Sequence, residues 1–248
     1  RSQYTDFVTN RMFRQTLLCH KEVKVNRHID QHRLEGGHFA GAFRAEDPSQ
    51  GQNLTPDVEV AFNCSNGRKI KTKNAALKAL VFAIADAWPA SLTVDQVCAE
   101  TEKRLAGLVV VGKKEQYSIS SLAAANLLQM YVRGDVEFRF PPDRFTTVLG
   151  EKPCVSALTR LQAKSAATLT TQRHGMLNAD PLTRIIVQVL DGTRTREDLT
   201  QYVADLAASG KLSINVQGDA RVDMHAVHAA AVDKILEQLR RSALLIVS

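Results

Sequence analysis

His28 and His32 stand four residues apart, a spacing that would put both imidazoles on one face of a helix, where zinc often finds two ligands. A third ligand would have to come from Cys19, His20 or His38. The glutamate that a zinc hydrolase places between two such histidines is missing, and the local helical period is weak. Surface histidines are the better reading. Gly107 to Lys114, Gly-Leu-Val-Val-Val-Gly-Lys-Lys, begins like a phosphate-binding loop. Such a loop needs residues that curl their amides around phosphate and a final hydroxyl for magnesium. Here the filling is extended-preferring Leu and Val, and Lys114 replaces the hydroxyl. Gly36-Gly37-His38-Phe39-Ala40-Gly41 lacks the preceding apolar strand and the following helix of a cofactor loop, and reads as a turn entering a strand. Lys69, Lys71 and Lys73 alternate, which puts three cations on one face of a strand. They could attract an acidic partner, or protect an edge strand from aggregation. No nucleophile stands beside a recognisable base. The sequence therefore offers no catalytic, cofactor-binding or metal-ligating residue.

The elements that carry these residues are short and mixed. His38 to Arg44 reads as a strand, Val58 to Phe62 alternates, Asn66-Gly67 suits a tight turn, and Lys69 to Lys73 returns. Residues 38–73 thus form a small antiparallel sheet on this reading. Leu77, Leu80, Val81, Ile84 and Trp88 make an apolar helical stripe that Pro89 ends. Thr93 and Gln96 form a capping box for a helix burying Val94, Val97, Cys98 and Leu105. A third helix over about 120–132 turns Ala124, Leu127, Leu128 and Tyr131 inward and stops at Gly134. Val136, Phe138 and Phe140 then alternate as a strand.

Pro141-Pro142 interrupts this pattern, and no apolar period is clear up to Pro153. The division expected is a domain at 1–142, a linker at 143–153 and a second domain at 154–248. In the second part Asp180-Pro181 opens a helix with Leu182, Ile185, Ile186, Val189 and Leu190 as its stripe. Thr195 caps another, with Leu199, Tyr202, Val203 and Leu206 inward and Ser209-Gly210 at its end. Leu212, Ile214 and Val216 alternate as a strand. A last helix buries Val232, Ile235, Leu236 and Leu239, and Leu244 to Val247 closes as a strand. The fold class expected is α+β: helices with small antiparallel sheets, the C-terminal part winged-helix-like.

Composition excludes several classes. Hydrophobic residues make up 44% and charged residues 23% of 248 residues, ordinary for a globular chain rather than a disordered one. The longest apolar run, Ala79 to Ala85, is far below the roughly 20 residues of a membrane span. The first ten residues have no apolar centre, so no signal peptide is read, and the opening at Arg1 reads as the middle of a longer polypeptide. Cys19, Cys64, Cys98 and Cys154 form no CxxC pair, and reduced, mostly buried thiols in a cytoplasmic protein are expected. A net charge of +6 spread over both halves does not by itself argue for nucleic acid.

The run Asn10-Arg11-Met12-Phe13-Arg14-Gln15-Thr16-Leu17-Leu18-Cys19-His20 resembles the methyltransferase regulatory domain family. Leu190-Asp191-Gly192-Thr193-Arg194-Thr195-Arg196-Glu197-Asp198-Leu199 resembles a segment of the winged-helix-like C-terminal domain of the same proteins. In that family this region follows a Rossmann-like methyltransferase domain, and some members resemble bacterial protein-lysine methyltransferases that modify outer-membrane proteins. The resemblance implies a non-catalytic, regulatory or substrate-binding region, with S-adenosylmethionine bound in a catalytic domain outside this chain. It implies two partners, that catalytic domain and a protein substrate, and leaves a homodimer open. Nucleic acid and membrane insertion are not expected.

Arg11, Arg14, His20, Lys69, Lys71 and Lys73 are the candidate interaction residues. For Arg11 and Arg14 two readings stay open. They clamp carboxylates or helix ends beside an apolar anchor of Phe13, Leu17 and Leu18, or they face the catalytic domain or its substrate. The rival function is a DNA-binding regulator with tandem winged helices. Its recognition helices would need basic and amide side chains toward the groove, but the helix near 120–132 has no Lys or Arg until Arg133 and that near 195–209 has one Arg against Glu197, Asp198 and Asp205.

Overall fold

The structure is a computed structural model and describes residues 8, 18–25, 31–106, 119–212 and 223–247. The chain divides into two compact units, 1–33 and 34–248. In the first, residues 18–25 are exposed and the Val23 amide donates to the His20 carbonyl at 3.0 Å. Arg11, Arg14 and His28 lie outside the described residues, as do the phosphate-loop-like run 107–114 and the expected strand at 214–216.

The second unit is α+β, with seven α-helices among its described residues and small antiparallel sheets. Its first strands are β1 (His38–Ala40), β2 (Arg44–Ala45), β3 (Val60–Asn63) and β4 (Lys69–Thr72). Helix α1 (Ala75–Ala87) starts where the Asn74 side chain accepts from the Leu77 amide. Strand β5 (Leu92–Thr93) leads into α2 (Val94–Leu105), which opens with the expected Thr93–Gln96 capping box. Helix α3 (Ile119–Val132) precedes β6 (Glu137–Arg139). Leu80, Val81 and Ile84 of α1 are buried against Phe39, Phe62, Val97 and Leu127 from the surrounding elements. Phe62 meets Phe82 edge to face at 5.0 Å, a geometry adding about 0.5–1.5 kcal/mol beyond burial itself.

Three expectations are corrected here. Residues 38–73 do not form one sheet: β1 lies between β5 and β6, while β2, β3 and β4 form a separate sheet. The chain breaks at Gly41, where the Phe43 ring occupies the space a Cβ would need. The hairpin between β3 and β4 is not a two-residue turn. The Cys64 amide closes a loop onto the Arg68 carbonyl at 2.8 Å, and only Gly67 has positive φ. The buried face of α3 is Ala123, Leu127 and Met130, with Tyr131 turned outward. Tyr131 finds an aromatic partner instead, its ring 5.4 Å from Phe138. Gly134 does end α3: the Asp135 amide reaches back to Met130 and Gly134 to Tyr131, the paired bonds of a left-handed helix stop.

The second core gathers β7 (Cys154–Val155), α4 (Ala157–Ser165), β8 (Thr168–Thr170), β9 (Met176–Asn178), α5 (Pro181–Val189), α6 (Arg196–Ala208), α7 (Met224–Arg241) and β10 (Leu245–Ile246). Val232, Ile235, Leu236 and Leu239 of α7 are buried as the period requires, against Ile186, Val187, Leu190, Leu199 and Val203. On α5 the buried face is Thr183, Ile186, Val187 and Leu190, rotated from the apolar stripe. Thr183 enters the core because Asp180 satisfies it: its amide and hydroxyl donate to the two carboxylate oxygens at 2.8 and 3.1 Å. Strand β10 pairs antiparallel with β7.

Candidate functional site

Arg173 sits in the turn between β8 and β9, where sequence reading placed nothing. The turn is held by the Thr171 amide donating to the Gly175 carbonyl at 3.0 Å, and the Gln172 amide donates to Ala243 beyond α7 at 3.1 Å. These bonds aim the Arg173 side chain, 4% exposed, toward the first core. Its Nε donates to the Pro89 carbonyl at 2.6 Å, one Nη to Glu137 at 2.8 Å and the other to Asp143 at 3.0 Å. The guanidinium also lies over the Trp88 and Phe145 rings, 5.1 and 5.3 Å from their centroids.

Asp143 extends the clamp. Its other oxygen accepts from the Ser91 amide at 2.6 Å and the Ser91 hydroxyl at 2.7 Å. Phe145 is buried, and the Thr146 amide donates to Leu245 at 2.9 Å. Glu137 also accepts from Arg139 at 2.8 Å. One side chain thereby ties the end of α1, strand β6, the segment after Pro142 and the β8–β9 turn together. A cleft of about 280 Å³ opens beside it, lined by Trp88, Pro89, Glu137, Arg173, Met176 and Arg241 among others. Its carboxylate is occupied by guanidiniums, and the hydroxyl of Ser91 is bound to Asp143 rather than to a base. This arrangement holds elements together; it does not assemble a nucleophile.

The candidate lysines lie elsewhere, Lys69 and Lys71 on β4 and Lys73 just after it. Strand order β2-β3-β4 puts them at the edge of the sheet. Lys69 pairs with Glu46, and that hydrogen bond and charge, with a smaller contribution from Lys71, hold the Glu46 carboxyl below its usual range. Lys71 and Lys73 are exposed and have no ion pair among the described residues. His20 is exposed, in the first unit. The four cysteines carry free thiols, Cys19 exposed and Cys64 and Cys154 buried. Burial pushes the Cys64 and Cys98 thiols up, away from reactive thiolate. Among the described residues no group of His, Cys, Asp or Glu could hold a metal, and no helix is long and apolar enough to cross a membrane.

Sequence reading also missed Lys78, buried on α1. Its ammonium donates to the carbonyls of Thr55 at 2.6 Å and Val58 at 3.1 Å, and burial pushes its pKa down. Helix α7 presents Met224 to Asp233 before its first cation, Lys234. Two guanidiniums, Arg240 and Arg241, bind Glu237 and hold its carboxyl down at about 2, and Arg196 of α6 pairs with Asp233. The cations of the α6–α7 pair are thus largely matched by carboxylates.

Residues 151–244 match the model of the PKMT C-terminal winged helix domain. Among solved structures, the chain is similar to PKMT2 from Rickettsia typhi, with a TM-score of 0.77 at 24% identity over 99% of this chain and 49% of that one. The same protein in complex with AdoHcy gives a TM-score of 0.74 at 25% identity, over 98% of this chain and 48% of that one. Two Rickettsia prowazekii (strain Madrid E) proteins described as uncharacterized are also similar. RP789 is 22% identical over 221 residues, 87% of this chain and 39% of its own length. RP027 is 27% identical over 206 residues, 78% of this chain and 79% of its own length. The chain spans about half the length of the PKMT2 chains and less of RP789. The match to a PKMT C-terminal winged helix domain at 151–244 thus lies within a chain whose fold is similar to that of about half of PKMT2.

Proposed function

We propose that this chain is the non-catalytic region of an S-adenosylmethionine-dependent protein methyltransferase, a cytoplasmic protein, and that it presents the protein substrate to a catalytic domain of the same polypeptide. The observation that supports this reading most is the match to about half of PKMT2, a protein also solved with AdoHcy. In this reading the methyl donor sits in the other half. The division into a middle domain at 1–142 and a winged-helix domain at 154–248 belongs to the same proposal. The stretch 143–153 acts in it as a packed joint, because Asp143 and Phe145 are engaged by Arg173.

The DNA-binding alternative fares worse on the described helices. A recognition helix needs cations and amides facing the groove, and α7 begins with ten residues free of Lys and Arg. Calorimetric titration of the isolated chain with S-adenosylmethionine tests the proposal. No binding up to millimolar donor is the expected result; a micromolar dissociation constant would show that the chain holds its own donor site.

A further inference from the structure

The outer edge of β4 has a defined chemistry. The Cys64 amide bonds to Arg68 at 2.8 Å, and the register pairs Phe62 with Ile70 and Val60 with Thr72. Hydrogen-bonded and non-bonded pairs alternate in an antiparallel ladder. Ile70 and Thr72 therefore bond to β3, and the amides and carbonyls of Lys69 and Lys71 point away from it. A second bond agrees: the Glu46 amide donates to the Ala61 carbonyl at 2.8 Å, so Ala61, opposite Lys71, turns its backbone toward the β2 side. Among the described residues no hydrogen bond uses the backbone groups of Lys69 or Lys71. The side chains alternate in the same way. Thr72 is buried and Ile70 half-buried, while Lys69, Lys71 and Lys73 are exposed.

We infer that this edge binds an extended acidic segment of the protein substrate by antiparallel strand addition, with Lys71 and Lys73 reading carboxylates at alternate positions of the added strand. The inference deepens the substrate-presenting role proposed above and rests on it. A strand laid along β4 forms backbone bonds with Lys69 and Lys71, and its alternate side chains fall opposite the lysines at cross-strand distance. A second copy of β4 brought to the same edge would oppose lysine with lysine, so the charge that disfavours self-pairing also selects an acidic partner. Lys69 is already matched by Glu46, which leaves Lys71 and Lys73 as the selective pair.

The pairing predicts which peptide amides matter. A residue opposite Lys71 is in a hydrogen-bonded pair, so its own amide faces the edge. In a fluorescent peptide of alternating Val and Glu, the Glu amides then carry the binding. Anisotropy titrations of the full chain at low salt should show saturable binding of this peptide. Lys71→Glu with Lys73→Glu should weaken it about tenfold or more, and Lys71→Ala with Lys73→Ala somewhat less, with unchanged circular dichroism because both positions are exposed. N-methylation of the Glu amides should abolish binding, and N-methylation of the Val amides should leave it within about threefold. Equal binding by all three peptides would reduce the contact to charge alone and overturn strand addition. Absence of binding by the parent peptide would overturn the site, while the donor titration described above would be unaffected by either result.

Discussion

At the scale of single residues, the buried cations are the structural signal. Lys78 spends its ammonium on two backbone carbonyls, and with the side chain removed Thr55 and Val58 would be left without a donor. Lys78→Met should cost about 1–3 kcal/mol in urea unfolding at neutral pH. The pH dependence has a definite sign. Burial lowers the folded pKa of Lys78, so between that value and the ordinary 10.5 the unfolded chain binds more protons. Stability from this group therefore rises with pH across that window, and Lys78→Met should flatten the rise. An unchanged alkaline profile in the variant would place the ammonium in water. Lys78 was not legible from sequence because it interrupts an apolar stripe at a position where a solvent-facing lysine is the ordinary case. Thr101 and Thr200 escaped for a related reason. Each is buried because its hydroxyl donates to the carbonyl four residues back, at 2.6 and 3.0 Å, so a polar residue enters the core already satisfied.

At the scale of elements, local signals read well and pairing read poorly. The capping boxes at Thr93 and Thr195, the Asp180-Pro181 start and the Gly134 and Gly210 stops were all visible, because each depends on residues within one turn. Which strands join depends on contacts far apart in sequence. Phe39 lies opposite Phe138, with their rings 4.9 Å apart, and nothing local announces that pairing. The Arg173 junction is of the same kind, since its partners come from positions 30 to 84 residues away. Arg173→Ala would leave Asp143 and Glu137 short of a donor and remove the stack on Trp88 and Phe145. A loss of about 3 kcal/mol is expected, with one urea transition becoming two as the cores uncouple. Arg173→Lys should recover part of the loss, because lysine supplies charge without the planar fork. A variant with unchanged midpoint and a single transition would mean that the cores are coupled by other contacts.

At the scale of the whole molecule, the structure supplies packing and surface charge. The described residues supply two cores, a guanidinium clamp between them and a cation-bearing sheet edge. The fold class and the winged-helix character of the C-terminal part were readable from the order of short helices and strands, and residues 151–244 match that domain type. The candidate residues were legible only in part. Lys69, Lys71 and Lys73 were picked out by alternation, whereas Lys69's partner Glu46 lies just after β2, across the intervening β3, and could not be read locally. Arg11 and Arg14 lie outside the described residues, so their role stays a proposal resting on the motif that contains them. The central claim is that this region delivers substrate to a catalytic domain and takes no part in donor binding. Its most direct measurement compares the whole of the proposed methyltransferase with its catalytic domain alone, recording both the dissociation constant for S-adenosylmethionine and kcat/KM for methylation of the protein substrate. Without this region, donor affinity is expected to stay within about twofold and kcat/KM to fall by a factor of about ten or more; equal methylation by the catalytic domain alone, or donor affinity lost together with this region, would contradict the claim.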